Sequence, residues 1–156
     1  MPRTVSDRGL AHIREFEGLR LRAYRDTGGV LTIGYGHTGG VKPEDVITTE
    51  DAERMLRADV LKALQVLSRH LDKGQLEALP QGAIDALADM AFNLGDQAFA
   101  NPRTKALTGL SQALRASRYD DVPAQIERWV YDNGRRLEGL VRRRKACSAM
   151  WREAFA

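Results

Sequence analysis

One cysteine in 156 residues, Cys147, leaves no partner for an intrachain disulfide. The fold must therefore be held by packing, and it can form in a reducing compartment. Aromatic residues make up only 6% of the chain and long apolar runs are missing. The longest segment without Asp, Glu, Lys or Arg, Thr27 to Val41, contains six glycines and falls short of the roughly 20 residues that a bilayer requires. The N-terminal stretch MPRTVSDRGLAHIREFEG carries a charge every few residues, which excludes the apolar core of a signal peptide or anchor. The expectation is a protein made soluble in the cytoplasm, without stable membrane insertion. Charge of one sign is scarce too. Lys and Arg number 24 against 21 Asp and Glu, a net of +3, too small a bias to demand a polyanionic partner. With three histidines and one cysteine there is no zinc spacing, and neither metal nor cofactor is expected.

What is present suits one soluble globular domain: 43% hydrophobic and 29% charged residues at a length typical of a single folding unit. Ser6 is placed to cap a short helix whose apolar positions are Leu10, Ile13 and Phe16 and whose stop is Gly18. From Arg22 to His37 the pattern has period 2 and is broken by Asp26-Thr27-Gly28-Gly29, which reads as a β-hairpin. Leu31, Ile33 and Tyr35 would share one face. Thr32, Gly34 and Gly36 would share the other, with backbone open to approach. Thr48 and Asp51 resemble a capping box for a long helix over 49–71, ended by Lys73-Gly74. Helical segments then follow over Pro80–Leu94, Arg103–Ala116, Val122–Tyr131 and Leu137–Phe155, so that the second half reads as entirely helical. The fold class is α+β and mostly helical: a small N-terminal hairpin lobe, about 12–58, joined by the long helix to a helical lobe, about 72–156.

Two carboxylates stand where they are not expected. On a helical wheel Glu17 falls between Leu10 and Ile13, and Asp59 falls among Ala52, Leu56, Ala63 and Leu67. A carboxyl held against apolar neighbours keeps its proton to higher pH, whereas Asp26, on a turn, would stay ionised. Two carboxyls with separated pKa values are what glycoside hydrolysis uses, one as acid and one to activate water or attack the sugar. From spacing alone, the favoured reading is the plainer one, with Glu17 a helix-end salt-bridge residue and Asp26 an ordinary turn former.

The run Glu17-Gly18, Ala23-Tyr24, Asp26, Leu31-Thr32-Ile33-Gly34-Tyr35-Gly36-His37-Thr38 resembles the signature of the phage-type lysozymes, the endolysins of glycoside hydrolase family 24. Further similarity lies in Ile47-Thr48 through Ala52-Glu53, Asp59-Val60, Phe92-Asn93-Leu94-Gly95, Trp129 and Gly139-Leu140-Val141-Arg142-Arg143-Arg144, so it spans essentially the whole chain. The resemblance implies a lysozyme-like fold and cleavage of the β-1,4 bond between N-acetylmuramic acid and N-acetylglucosamine in peptidoglycan. It makes Glu17 the general acid, with Asp26 and Thr32 holding the attacking water, and the usual outcome is inversion. It places Asn93 at the cleft edge, with a helix-end role as the alternative, and gives Gly34 and Tyr35 supporting places, although Tyr35 has the parity of a core residue. It also implies that an arginine of the C-terminal run pairs with Glu17. Arg144 fits by direction on the wheel and Arg143 by alignment. The organism-level expectation is a monomer that reaches the wall through a separately encoded pore.

Outside that motif, His37 and Asp59 are expected to pair and to hold the hairpin to the long helix. Between Arg135 and Lys145 there are six basic residues and one acid, yet no nucleic-acid-binding pattern accompanies them. Nucleic acid is therefore not an expected partner. An anionic wall or outer-membrane lipopolysaccharide is. Cys147 stands where the family commonly has a glutamate, and it reads as a small apolar filler. A non-catalytic glycan-binding domain and membrane permeabilisation by the C-terminal helix are the competing functions.

Overall fold

The computed structural model describes residues 2–156 and shows a mostly helical protein with two small antiparallel sheets. Helix α1 (Asp7–Glu17) begins at Ser6, whose hydroxyl accepts from the Gly9 N–H at 3.1 Å. The same Ser6 donates through its backbone N–H to Asp85, 2.9 Å, and through its hydroxyl to the other Asp85 oxygen. The cap thus docks the helix as well as starting it. Strands β1 (Arg20–Arg25) and β2 (Leu31–Gly34) form the expected hairpin, with Tyr24 opposite Thr32 and Arg25 opposite Leu31. The period-2 pattern ends at Gly34, where φ turns positive at 63° and the chain folds back so that Ile33 and His37 exchange two backbone hydrogen bonds of 2.9 Å.

Helix α2 (Thr49–His70) opens on a complete Thr48–Asp51 capping box and extends for about 33 Å at 1.5 Å per residue. Lys73-Gly74, read as a stop, instead lies inside a second capped helix, α3 (Lys73–Ala78), built on a reciprocal Asp72–Gln75 box. Helix α4 (Gln81–Leu94) is buried continuously from Ala83 to Ala91. It is the centre of the molecule and packs against α1, α2 and the last helix. The helix expected from Arg103 begins only at Gly109, as α5 (Gly109–Arg115). Ahead of it Asn101 Oδ1 accepts from the Arg103 and Thr104 N–H groups, and this Asx turn replaces the helix start. Helix α6 (Val122–Glu127) ends before Tyr131.

The second half is not entirely helical. Tyr131–Asp132 and Arg135–Arg136 pair as strands β3 and β4 around Asn133-Gly134, both at positive φ, the backbone that a two-residue hairpin demands. Helix α7 (Glu138–Ala154) closes the chain. The main core surrounds α4 and includes Phe99, Met90, Ile126 and Trp151, while Leu10, Ile13, Leu56 and Val60 form a smaller cluster between α1 and α2. Among the described residues, no helix is long and apolar enough to cross a membrane.

Candidate active site

Glu17 is the last residue of α1, and Gly18 at φ 71° turns the chain at once towards β1. The carboxyl is left where three elements meet, with only 18% of the side chain exposed. On the hairpin side it lies against Gly36: a Cβ there would stand 2.9 to 3.0 Å from both oxygens and the carboxyl carbon. On the α7 side Arg143 Nη1 stands 3.5 Å from its Oε1. Burial is the strongest influence on this carboxyl and pushes its pKa up. Arg143 pulls it down, the negative charge of Asp89 adds to the rise, and the balance lies above the ordinary glutamate value.

Asp26 and Thr32 are brought together by one residue, Val30. The Asp26 Oδ1 accepts from the Gly28 and Val30 N–H groups at 2.9 Å each, and the Asp26 N–H donates to the Val30 carbonyl at 3.0 Å. The Thr32 hydroxyl donates to that same carbonyl at 2.9 Å. Thr32 is buried and Asp26 is exposed. Each keeps free acceptor capacity, Oδ2 on one and the hydroxyl lone pairs on the other. Gly34 does not present open backbone. Ile47 and Ala52 already lie 3.4 and 3.5 Å from where its Cβ would be, and the approach expected on that face comes from the protein's own α2. Tyr35 is half-buried against the smaller core, which is packing and not a stacking platform.

The arginine run divides cleanly. Arg143 is the partner of Glu17, and it also binds Asp89 through Nε at 3.0 Å and Nη2 at 2.7 Å. Arg144, which fitted by direction, turns elsewhere. It donates through Nε to the Trp129 carbonyl at 2.9 Å and through Nη2 to Asn93 Oδ1, and its Nη1 has no partner among the described residues. A guanidinium can only donate, so the amide oxygen of Asn93 must face Arg144 and its NH₂ group faces away. Burial lowers the pKa of Arg144. His37 Nδ1 lies 2.7 Å from Asp59 Oδ2, and its Nε2 lies 2.8 Å from the Gly39 carbonyl, which is the expected tie between hairpin and α2. Cys147 is fully buried, its thiol pushed well up by desolvation and donating to the Ala86 carbonyl; it fills space.

Two members of this region escape the sequence reading. Asp89 is fully buried beside Arg143, and His12 Nε2 lies 3.2 Å from its Oδ2. The signal existed. Asp85 and Asp89 interrupt the apolar run AIDALADMAF just as Glu17 and Asp59 interrupt theirs, and a carboxylate inside an all-apolar helix needs a partner.

The sequence model of the family described as phage lysozyme matches residues 14–147. An endolysin of Acyrthosiphon pisum secondary endosymbiont phage 1 is 35% identical over 154 residues, covering 96% of this chain and 99% of that protein. The endolysin of Bacillus phage PZA is 36% identical over 150 residues, and the match covers 94% of this chain but only 54% of that longer protein. Among solved structures, the active form of the P1 phage endolysin Lyz superposes with a TM-score of 0.85 at 23% identity, over 97% of this chain and 86% of that one. The muramidase domain of SpmX from Asticaccaulis excentricus gives 0.80 at 27% identity, over 96% and 97%. Family match, relatives and fold agree, and the chain belongs to the phage lysozyme family.

Proposed function

We propose that this protein is a peptidoglycan muramidase of the endolysin type, with Glu17 as general acid and a water held by Asp26 and Thr32 as nucleophile. The observation that carries this is the environment of Glu17: a carboxyl buried between α1, Gly36 and Arg143, with its pKa raised. Such a group keeps its proton to higher pH than an ordinary glutamate and can deliver it to a glycosidic oxygen. The C1–O bond then breaks towards an oxocarbenium-like state. Water attacks C1 from the opposite face, and its proton passes to Asp26.

The hydrogen bonds favour water over direct attack by Asp26. Its Oδ1 is held by two backbone N–H groups, which fixes the carboxylate in its turn and leaves Oδ2 to accept from a water. Thr32, its one hydrogen given to Val30, can accept the second water hydrogen and leave an oxygen lone pair free to attack. An inverting pair needs ~6.5–9.5 Å between carboxyls to admit that water. The Asn93 NH₂, aimed by Arg144, suits a carbonyl acceptor such as an N-acetyl oxygen. The protein acts on the wall after release through a separate pore, and its basic second half favours anionic surfaces, lipopolysaccharide among them.

Turbidity clearing of chloroform-treated Gram-negative cells is the direct test, with mass spectrometry of the released saccharides. Wild type should clear the suspension and release reducing ends, with the first product in the α configuration by NMR. Glu17→Gln should fold and clear nothing. Lysis retained by Glu17→Gln would remove Glu17 from its role, and a β-configured first product would remove the water.

A further inference from the structure

A buried arginine beside a general acid poses a physical problem. A guanidinium that grips a carboxylate with two parallel N–H groups stabilises the ionised form, and that would strip Glu17 of its proton. The geometry avoids this. Arg143 turns its Nε and Nη2 edge to Asp89, with Nε 3.0 and 3.3 Å from the two oxygens and Nη2 2.7 Å from Oδ1. The opposite Nη1–Nη2 edge remains, but its approach to Glu17, Nη1 to Oε1 at 3.5 Å, is too long for a strong charge-assisted bond. A carboxylate that is not the acid anchors the guanidinium side-on and fixes how far it stands from Glu17.

We propose that Asp89 is a positioning residue for the reaction: by anchoring the Nε–Nη2 edge of Arg143 it keeps the guanidinium from closing on Glu17, and so leaves Glu17 able to carry a proton. The inference rests on the assignment of Glu17 as proton donor.

Asp89 is suited to the task. It has no exposure, and it sits on α4, the most buried helix of the molecule. Burial alone would raise its pKa, but His12 and Arg143 outweigh that and hold it down at about 2. It therefore stays an anion across the range in which Glu17 titrates. The surrounding charges are few. On α1 itself, His12 Nε2 stands 3.2 Å from the Asp89 Oδ2, and Arg14 is paired with Glu53 of α2 at 2.7 Å. On α7, Arg144 turns to Asn93 and Trp129. From the hairpin Gly36 meets the acid, while Asp26 accepts from its own turn. Arg143 is the one cation within 4 Å of Glu17 among the described residues, and Asp89 is what restrains it.

The experiment is a cycle of four proteins, wild type, Asp89→Asn, Arg143→Gln and the double variant, in which the Glu17 carboxyl is titrated by ¹³C NMR alongside the pH profile of kcat/KM. With Arg143 present, Asp89→Asn should lower the Glu17 pKa and move the basic limb of the profile down by about one pH unit or more. In the Arg143→Gln background the same change should move it much less, since no guanidinium remains to be released. Equal shifts in the two backgrounds, or a uniform loss of kcat with the limb unmoved, overturn the inference. One measurement needs no variant. In wild type the Arg143 Nε–H resonance should stay fixed as Glu17 titrates, because Asp89 holds it; a resonance that follows Glu17 overturns the inference even if Asp89→Asn fails to fold. The NMR titration does not depend on catalysis. A Glu17→Gln protein that still lyses cells defeats the catalytic assignment, whereas an unmoved Glu17 titration in Asp89→Asn defeats only the role of Asp89.

Discussion

At the residue scale the site depends on what one glycine lacks. Gly36 has φ of 74°, and a Cβ on it would press on the Glu17 carboxyl at 2.9 to 3.0 Å. Gly36→Ala would therefore strain the backbone and displace a side-chain end that can move. Stability should fall by about 1–2 kcal/mol, while clearing activity should fall by about 100-fold, because a misplacement near 1 Å is that costly to proton delivery. Melting and turbidity assays read the two losses separately; an activity loss no larger than the stability loss predicts would count against this account. Glu17 also carries a stability signature. Its folded pKa is raised, so the folded state holds that proton more tightly than the unfolded chain does. The associated stability is present below the unfolded pKa and is lost as pH rises through the folded one. Glu17→Gln should accordingly melt above wild type at neutral pH, and the difference should shrink on acidification. A gap independent of pH, measured by calorimetry, would contradict the raised pKa.

At the scale of elements, the hairpin is tied to α2 by His37 and Asp59, whose side chains are 15% and 16% exposed and 2.7 Å apart. Asp59→Asn weakens this bond and should cost about 1–3 kcal/mol, felt locally. Amide exchange should accelerate in β1, β2 and the His37 turn while the α4 amides keep their protection, and equal acceleration in both would mean the tie is not local. This pair, the hairpin, the α2 cap and the burial of Glu17 were all legible in the chain, because each is a local pattern or a charge on an apolar face. The misreadings have a common cause. Between Asn101 and Leu107 helix-compatible residues yield to an Asx turn and to Lys105 at φ 63°. The Asp72–Gln75 box opens a helix too short to show a period. The β3–β4 hairpin has strands of two residues each. In such segments local hydrogen bonds decide the structure, and no periodicity announces them. Arg143 and Arg144 illustrate the other limit. Both are buried although they are consecutive and point about 100° apart on the wheel, and their partners across the core, Asp89 for the one and Asn93 and Trp129 for the other, accompany the difference in which one meets Glu17.

At the scale of the whole molecule, the charge that looks negligible as a sum divides into two populations. Arg143 and Arg144 are internal and act on Glu17, Asp89 and Asn93. The rest of the C-terminal excess lies outside: Arg135, Arg136, Arg142 and Lys145 are all exposed, and among the described residues only Arg136 of these four forms an ion pair, to Glu138 at 2.6 Å. Exposed charges of one sign raise the local concentration of an anionic surface, and they do so over a Debye length of about 8 Å at physiological ionic strength. They contribute little to the fold. Arg135→Glu with Lys145→Glu, a four-charge change at two positions outside the site, should therefore leave melting nearly unchanged and leave turnover of soluble muropeptide oligomers intact. Clearing of whole cells should drop several-fold at low salt, and the difference from wild type should close as salt is raised to about 0.5 M, where the Debye length falls to about 4 Å. If the variant clears cells as fast as wild type at low salt, the basic surface plays no part in finding the wall. If it loses turnover on soluble oligomers as well, these residues belong to the substrate groove and not to an attracting surface.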